Sequence, residues 1–89
     1  MVLKDMYIIY WLINERKTKT YVGFTNDLDE RIKYHKSGKV RTTEDFGKFT
    51  HYVLEEVKSL EEAIKMEKYW KSCAGRKKLK ILFDKLVKK

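Results

Sequence analysis

The chain has 89 residues, 43% hydrophobic and 13% aromatic, which excludes a disordered chain and limits it to one modest core, read as a single domain over residues 1–89. Its net charge is +8, and the end from Lys71 to Lys89 holds eight bases against one acid, the balance expected of a protein that binds a polyanion. One cysteine (Cys73), an apolar run from Met6 too short for a bilayer and no signal-peptide pattern exclude a disulfide framework, a Cys-rich zinc site and a membrane anchor, and fit a cytoplasmic setting.

Residues 6–13 are β-branched and aromatic on both parities, as in a central strand covered on both faces. Polar residues 14–19 read as a hairpin loop, and Thr20 to Phe24 as a second strand antiparallel to the first. Thr25 and Asn26 suit a helix N-cap, with Asp27, Asp29 and Glu30 in the first turn favouring the helix dipole. That helix runs to about Lys36 and stops at Ser37-Gly38. Residues 39–49 show no period and read as a loop, and His51 to Val57 as a third strand. Ser59 with Glu62 forms a capping box that opens a second helix, ending near Ser72. Ala74-Gly75 reads as a break. A third helix, Arg76 to Val87, puts Leu79, Leu82, Phe83 and Leu86 on one face. The order β-β-α-β-α-α implies an α+β fold, a three-stranded antiparallel sheet covered by three helices.

Residues that break the amphipathic pattern carry the functional signal. Arg31 and His35 share the first helix's apolar face with Leu28 and Ile32. Each reads either as a snorkelling margin residue or as a group directed at chemistry. Glu67 falls within the stripe Leu60, Ala63, Ile64, Met66 and Trp70 of the second helix. A carboxylate there is paired, protonated or bound to a metal. Its bland reading is an ion pair with Arg31 or a lysine; its functional reading is a metal ligand or an acid/base group. Tyr10 and Tyr21 lie on neighbouring strands, and Gly23, on the face of Tyr21, admits close approach by a backbone or a ligand.

This ordered set resembles the GIY-YIG endonuclease superfamily, in particular its small stand-alone members. The first motif corresponds to Ile8-Ile9-Tyr10, with Ile where the family name has Gly, and the second to Tyr21-Val22-Gly23. Asn26 to Arg31, His35, Ser37-Gly38 and Glu67 follow in family order, so the likeness covers about residues 6 to 83. The resemblance implies cleavage of DNA phosphodiesters, a chemistry used in repair, with one divalent ion, Mg²⁺ or Mn²⁺. By position, Tyr10 is the base or proton relay for the attacking water, and Tyr21 positions the site. Arg31 stabilises the scissile phosphate, His35 orients or deprotonates a catalytic tyrosine, and Glu67 holds the metal. An Arg fork suits phosphate oxygens, and a hard cation that keeps waters can manage with one carboxylate. A phenol of pKa about 10 acts as a base only with cationic neighbours or a proton acceptor such as His35. The Asn that several larger members carry after the metal-binding Glu has no counterpart here.

On this reading Lys36, Lys39, Arg41, Lys71, Arg76, Lys77 and Lys78 supply phosphate contacts, and binding weakens steeply with salt. The chain lacks the separate DNA-binding domains of larger relatives, so it binds DNA unaided or recruits a protein partner for targeting, as a monomer or weak dimer. Two other classes compete with the nuclease. One is a non-catalytic nucleic-acid-binding module that keeps the fold. The other is a structural protein in which Arg31 and Glu67 form a buried ion pair.

Overall fold

The computed structural model describes residues 6–37 and 46–87. The elements follow the expected order: β1 (Tyr7–Asn14), β2 (Thr20–Thr25), α1 (Leu28–Lys36), β3 (Phe49–Val57), α2 (Leu60–Lys71) and α3 (Cys73–Val87). The strands form one antiparallel sheet in the order β2-β1-β3, an α+β architecture.

The apolar residues of β1 on both parities have a direct consequence. From Ile9 to Asn14 every residue is buried, because the central strand is covered on both sides. Ile9, Trp11 and Ile13 face one way and pack with Val22 and Trp70, joined by Leu79, Phe83 and Leu86 of α3. Tyr10 and Leu12 face the other way, against Ile32 of α1 and Phe46. Burying each such aliphatic side chain contributes about 1.5–3 kcal/mol, so β1 is the spine of both cores. Asn14 closes the strand and holds the hairpin: its side-chain oxygen accepts from the amides of Thr18 and Lys19, both at 2.9 Å.

A bulge in β3 sets the far edge. Ile9 lies opposite Glu55 and Tyr10 opposite Val53, so Leu54 is the extra residue. Leu54 joins the Trp70 core, and Glu55 accepts a 2.8 Å hydrogen bond from Trp70 Nε1. The bulge thereby lets two successive residues serve the α2 side.

Helix boundaries depart from the sequence reading in two places. The α1 N-cap is Asp27, whose carboxylate accepts from the Glu30 amide. Thr25 instead ends β2, and its hydroxyl accepts from the Asp27 amide. The expected break at Ala74-Gly75 is inside a helix: α3 begins at Cys73, and only Ser72 separates it from α2. Ser72 caps this start, its carbonyl accepting from the Arg76 amide. Gly75 is required by packing rather than by termination, since a Cβ there would lie 2.2 Å from the Tyr69 carbonyl oxygen and 2.4 Å from Trp70 Cα.

The N-cap half of the capping box forms as read, with Ser59 accepting from the Glu62 amide. The buried stripe of α2 is narrower than expected, because Leu60 and Ile64 are 48% and 39% exposed. They lie toward one margin, and only Ala63 and Trp70 of this helix are fully covered. Among the described residues no helix is long and apolar enough to cross a membrane.

Candidate active site

The antiparallel register puts Tyr10 opposite Gly23 and Leu12 opposite Tyr21, so both tyrosines rise from the α1 side of the sheet. α1 crosses that side with Ile32 and His35 buried. The amphipathic violation noted for Arg31 and His35 is thus resolved as convergence on Tyr10.

The Tyr10 hydroxyl is the meeting point. Arg31 Nε donates to it at 3.2 Å, and it lies 2.9 Å from His35 Nε2. The phenolic oxygen accepts from Arg31 and shares a second hydrogen bond with His35 Nε2, in which Tyr10 is the donor when the His35 ring proton is on Nδ1. Tyr10 is wholly buried and His35 is 2% exposed, whereas Arg31 is half-buried and reaches solvent beside the Tyr34 ring. Tyr21 packs its ring on both, with centroids 6.1 Å from Tyr10 and 5.4 Å from His35.

Gly23 makes this clustering possible. A Cβ on it would lie 2.6 Å from the Tyr10 hydroxyl oxygen and 2.9 Å from Tyr21 Cε2. The close approach expected at this glycine is made by the two tyrosine rings, which fold over its Cα.

Burial governs the electrostatics. It pushes the Tyr10 phenol up to about 12, against the opposing pull of the Arg31 hydrogen bond and charge. It also lowers the His35 imidazole below its ordinary value, helped by the charge of Arg31. Arg31 is held more firmly protonated, first by its bond to Tyr10. The resting state is a neutral phenol hydrogen-bonded to a neutral imidazole beside a fixed cation.

Glu67 lies nearer the surface than expected and takes the lysine alternative of its ion-pair reading. Its side chain is 24% exposed and pairs with Lys71 at 3.4 Å, one helical turn on. Arg31 spends its Nε on Tyr10, and Glu67 sits at the margin of the α2 stripe, so the buried Arg31–Glu67 pair does not form. Lys71 links the two halves of the site, its Nζ standing 5.6 Å from the Tyr21 ring centroid. Among the described residues no three His, Cys, Asp or Glu side chains gather as a multi-ligand metal site.

The order of these residues along β1, β2, α1 and α2 matches a known pattern. A family model described as the GIY-YIG catalytic domain matches residues 6–80. The chain belongs to the GIY-YIG family. That places it among nucleases, whose substrate is nucleic acid. No curated protein and no solved structure matches the chain.

In this GIY-YIG chain the expected phosphate-binding residues separate into groups. Lys71 and Arg76 line a groove beside Tyr21. Lys36 is exposed at the end of α1, and Lys77 is exposed on α3. Lys78 leans over the Tyr69 ring, 5.2 Å from its centroid. Lys39 and Arg41 lie outside the described residues. The structure adds Lys17 and Lys80 to the groove. Lys80 was legible as the i+4 neighbour of Arg76 on α3; Lys17 carried no signal in the sequence.

Proposed function

We propose that the chain is a metal-dependent endonuclease that hydrolyses DNA phosphodiester bonds. The observation that carries this reading is the Tyr10 hydroxyl held between Arg31 Nε and His35 Nε2. A buried phenol kept for packing needs one hydrogen-bond partner, whereas this oxygen meets a cation and an imidazole together.

Raising the phenol from 10 to about 12 disfavours a free phenolate by about 3 kcal/mol. Tyr10 therefore acts as a relay. It takes the proton of the attacking water as its own passes to His35 Nε2, which burial keeps neutral and ready to accept. Arg31 steadies the negative charge passing through the phenolic oxygen, and its solvent-facing guanidinium edge holds a phosphate oxygen. Tyr21 and Gly23 fix the position of the Tyr10 ring.

Glu67 is the candidate metal ligand. A single partly exposed carboxylate fits a hard cation that keeps most of its waters, such as Mg²⁺ or Mn²⁺, and does not fit zinc. When bound, such an ion supplies charge neutralisation at the phosphate and the leaving oxygen. Lys71 then releases the carboxylate and turns to the substrate.

The test is a nicking assay on labelled DNA with wild-type protein and Glu67→Gln, with Mg²⁺, Mn²⁺ or EDTA. The reading expects cleavage by the wild type that EDTA and the substitution each abolish. The exposed Glu67–Lys71 pair contributes at most about 1 kcal/mol, so Glu67→Gln should remain folded. Binding without cleavage by a folded wild type would replace this reading with that of a non-catalytic binding module.

A further inference from the structure

α3 packs on α2 and reaches the sheet through the long side chains of Leu79, Phe83 and Leu86. Between α3 and the edge strand β2 it leaves an open groove of about 640 Å³. Tyr21 of the candidate active site is one of its lining residues. The charged lining is Lys17, Lys71, Arg76 and Lys80, the apolar lining includes the half-buried Leu79 and Phe83 with Trp11 and Trp70 almost wholly covered, and among the described residues no carboxylate lines it. We propose that this groove holds an unpaired strand of the DNA substrate beside the cleaved bond, so that the protein prefers single-stranded or flap DNA to a continuous duplex. The proposal rests on the nuclease reading and names its substrate class.

Two observations carry it. The first is the combination of an apolar with a cationic lining. An unpaired strand presents base faces and phosphates together, and this groove offers a surface for each. A duplex keeps its base faces stacked. It would use the cations and leave the apolar lining empty, and a body whose major groove alone is about 12 Å wide lies across such a cleft rather than in it.

The second is Lys17, which has φ +60° in the β1–β2 turn. A left-handed backbone costs a non-glycine residue about 1–2 kcal/mol, so a glycine would suit the turn better. The lysine brings its charge to the groove.

The test measures binding by fluorescence anisotropy, in EDTA so that nothing is cut. The probes are a labelled single strand, its blunt duplex, and the same duplex with a single-stranded flap. The variants are Lys17→Gly, which removes a charge while relieving the turn, and Lys80→Glu. Lys65→Glu, on an exposed position of α2 outside the groove, is the control for net charge. Wild type should bind the single strand and the flap about tenfold more tightly than the blunt duplex. Lys80→Glu should remove that preference, Lys17→Gly should weaken it with the fold intact, and Lys65→Glu should preserve it. Equal affinity for blunt duplex, or equal effects of Lys80→Glu and Lys65→Glu, overturns the proposal. Loss of the nuclease reading shows separately, as absence of cleavage with metal present.

Discussion

Gly23→Ala isolates the packing on which the Tyr10 cluster depends. The backbone at Gly23 is not in the left-handed region, so alanine meets no conformational penalty there. In a strand interior it would by itself gain about 0.5–1 kcal/mol over glycine. Against that gain, the new methyl would lie 2.6 Å from the Tyr10 hydroxyl oxygen and 2.8 Å from Tyr10 Cζ. Tyr10 is wholly buried and cannot swing out, so the ring must shift within a packed core, at a cost of about 1–3 kcal/mol. The net loss is about 0.5–2 kcal/mol, or roughly 2–15 °C in Tm for a domain of this size. Activity should fall further than stability. A shift of the Tyr10 oxygen breaks its alignment with both Arg31 and His35, and misplacement on the ångström scale costs about a hundredfold in rate. Thermal unfolding and single-turnover nicking of the two proteins measure both effects. A Gly23→Ala protein with wild-type Tm and wild-type rate would refute this account of the glycine.

Tyr10→Phe keeps the ring and deletes the relay, so nicking should drop about 10²–10⁴-fold. His35, buried and deprived of this partner, should cost the fold about 1–3 kcal/mol, read by denaturant titration. Burial lowers the His35 pKa, so kcat/KM should be flat above pH 6.5 and fall only as pH drops through the lowered value. The stability that neutral His35 contributes has the same sign, present above 6.5 and lost toward acid. For Tyr10 the pKa is raised, so its contribution is complete below pH 10 and is lost as pH climbs toward about 12; an acid limb above pH 6.5 would contradict the His35 assignment. Gly75→Ala should cost about 3 kcal/mol or more, because its methyl meets backbone atoms that cannot rotate away, and a Tm near wild type would remove the close helix approach from the argument.

Much of this fold was legible because each element carries its own signal. The two-sided apolar run of β1 announced a central strand, and Ser59 with Glu62 fixed the start of α2 to the residue. The Tyr10, Arg31 and His35 cluster was legible for the opposite reason. Polar residues on an apolar helix face must point at something, and the neighbouring strand supplied the tyrosine. Other features depend on distances that periodicity does not encode. Gly75 looks like a helix stop in one dimension and is a helix–helix contact in three. Leu60 and Ile64 fit the stripe by spacing, yet they stay 48% and 39% exposed. Glu67 has the same helical phase problem, and of the two ion-pair partners the sequence offered, Arg31 or a lysine, the structure selects Lys71.

The joint between α2 and α3 has a mechanical consequence. α3 is 15 residues, roughly 22 Å, fixed at one end by a single connecting residue and by the seat of Gly75 against the α2 backbone. Beyond that joint it is a beam clamped at its root and propped by a few side chains, and a beam deflects more the farther one moves from the clamp. The stiff root, near Arg76 and the candidate active site, sets a fixed gauge for whatever lies beside it. The distal part, toward Leu86, is held instead by the side chains of Phe83 and Leu86 on the core around β1. One helix is thus set by backbone contact at its root and by side-chain packing along the rest of its length.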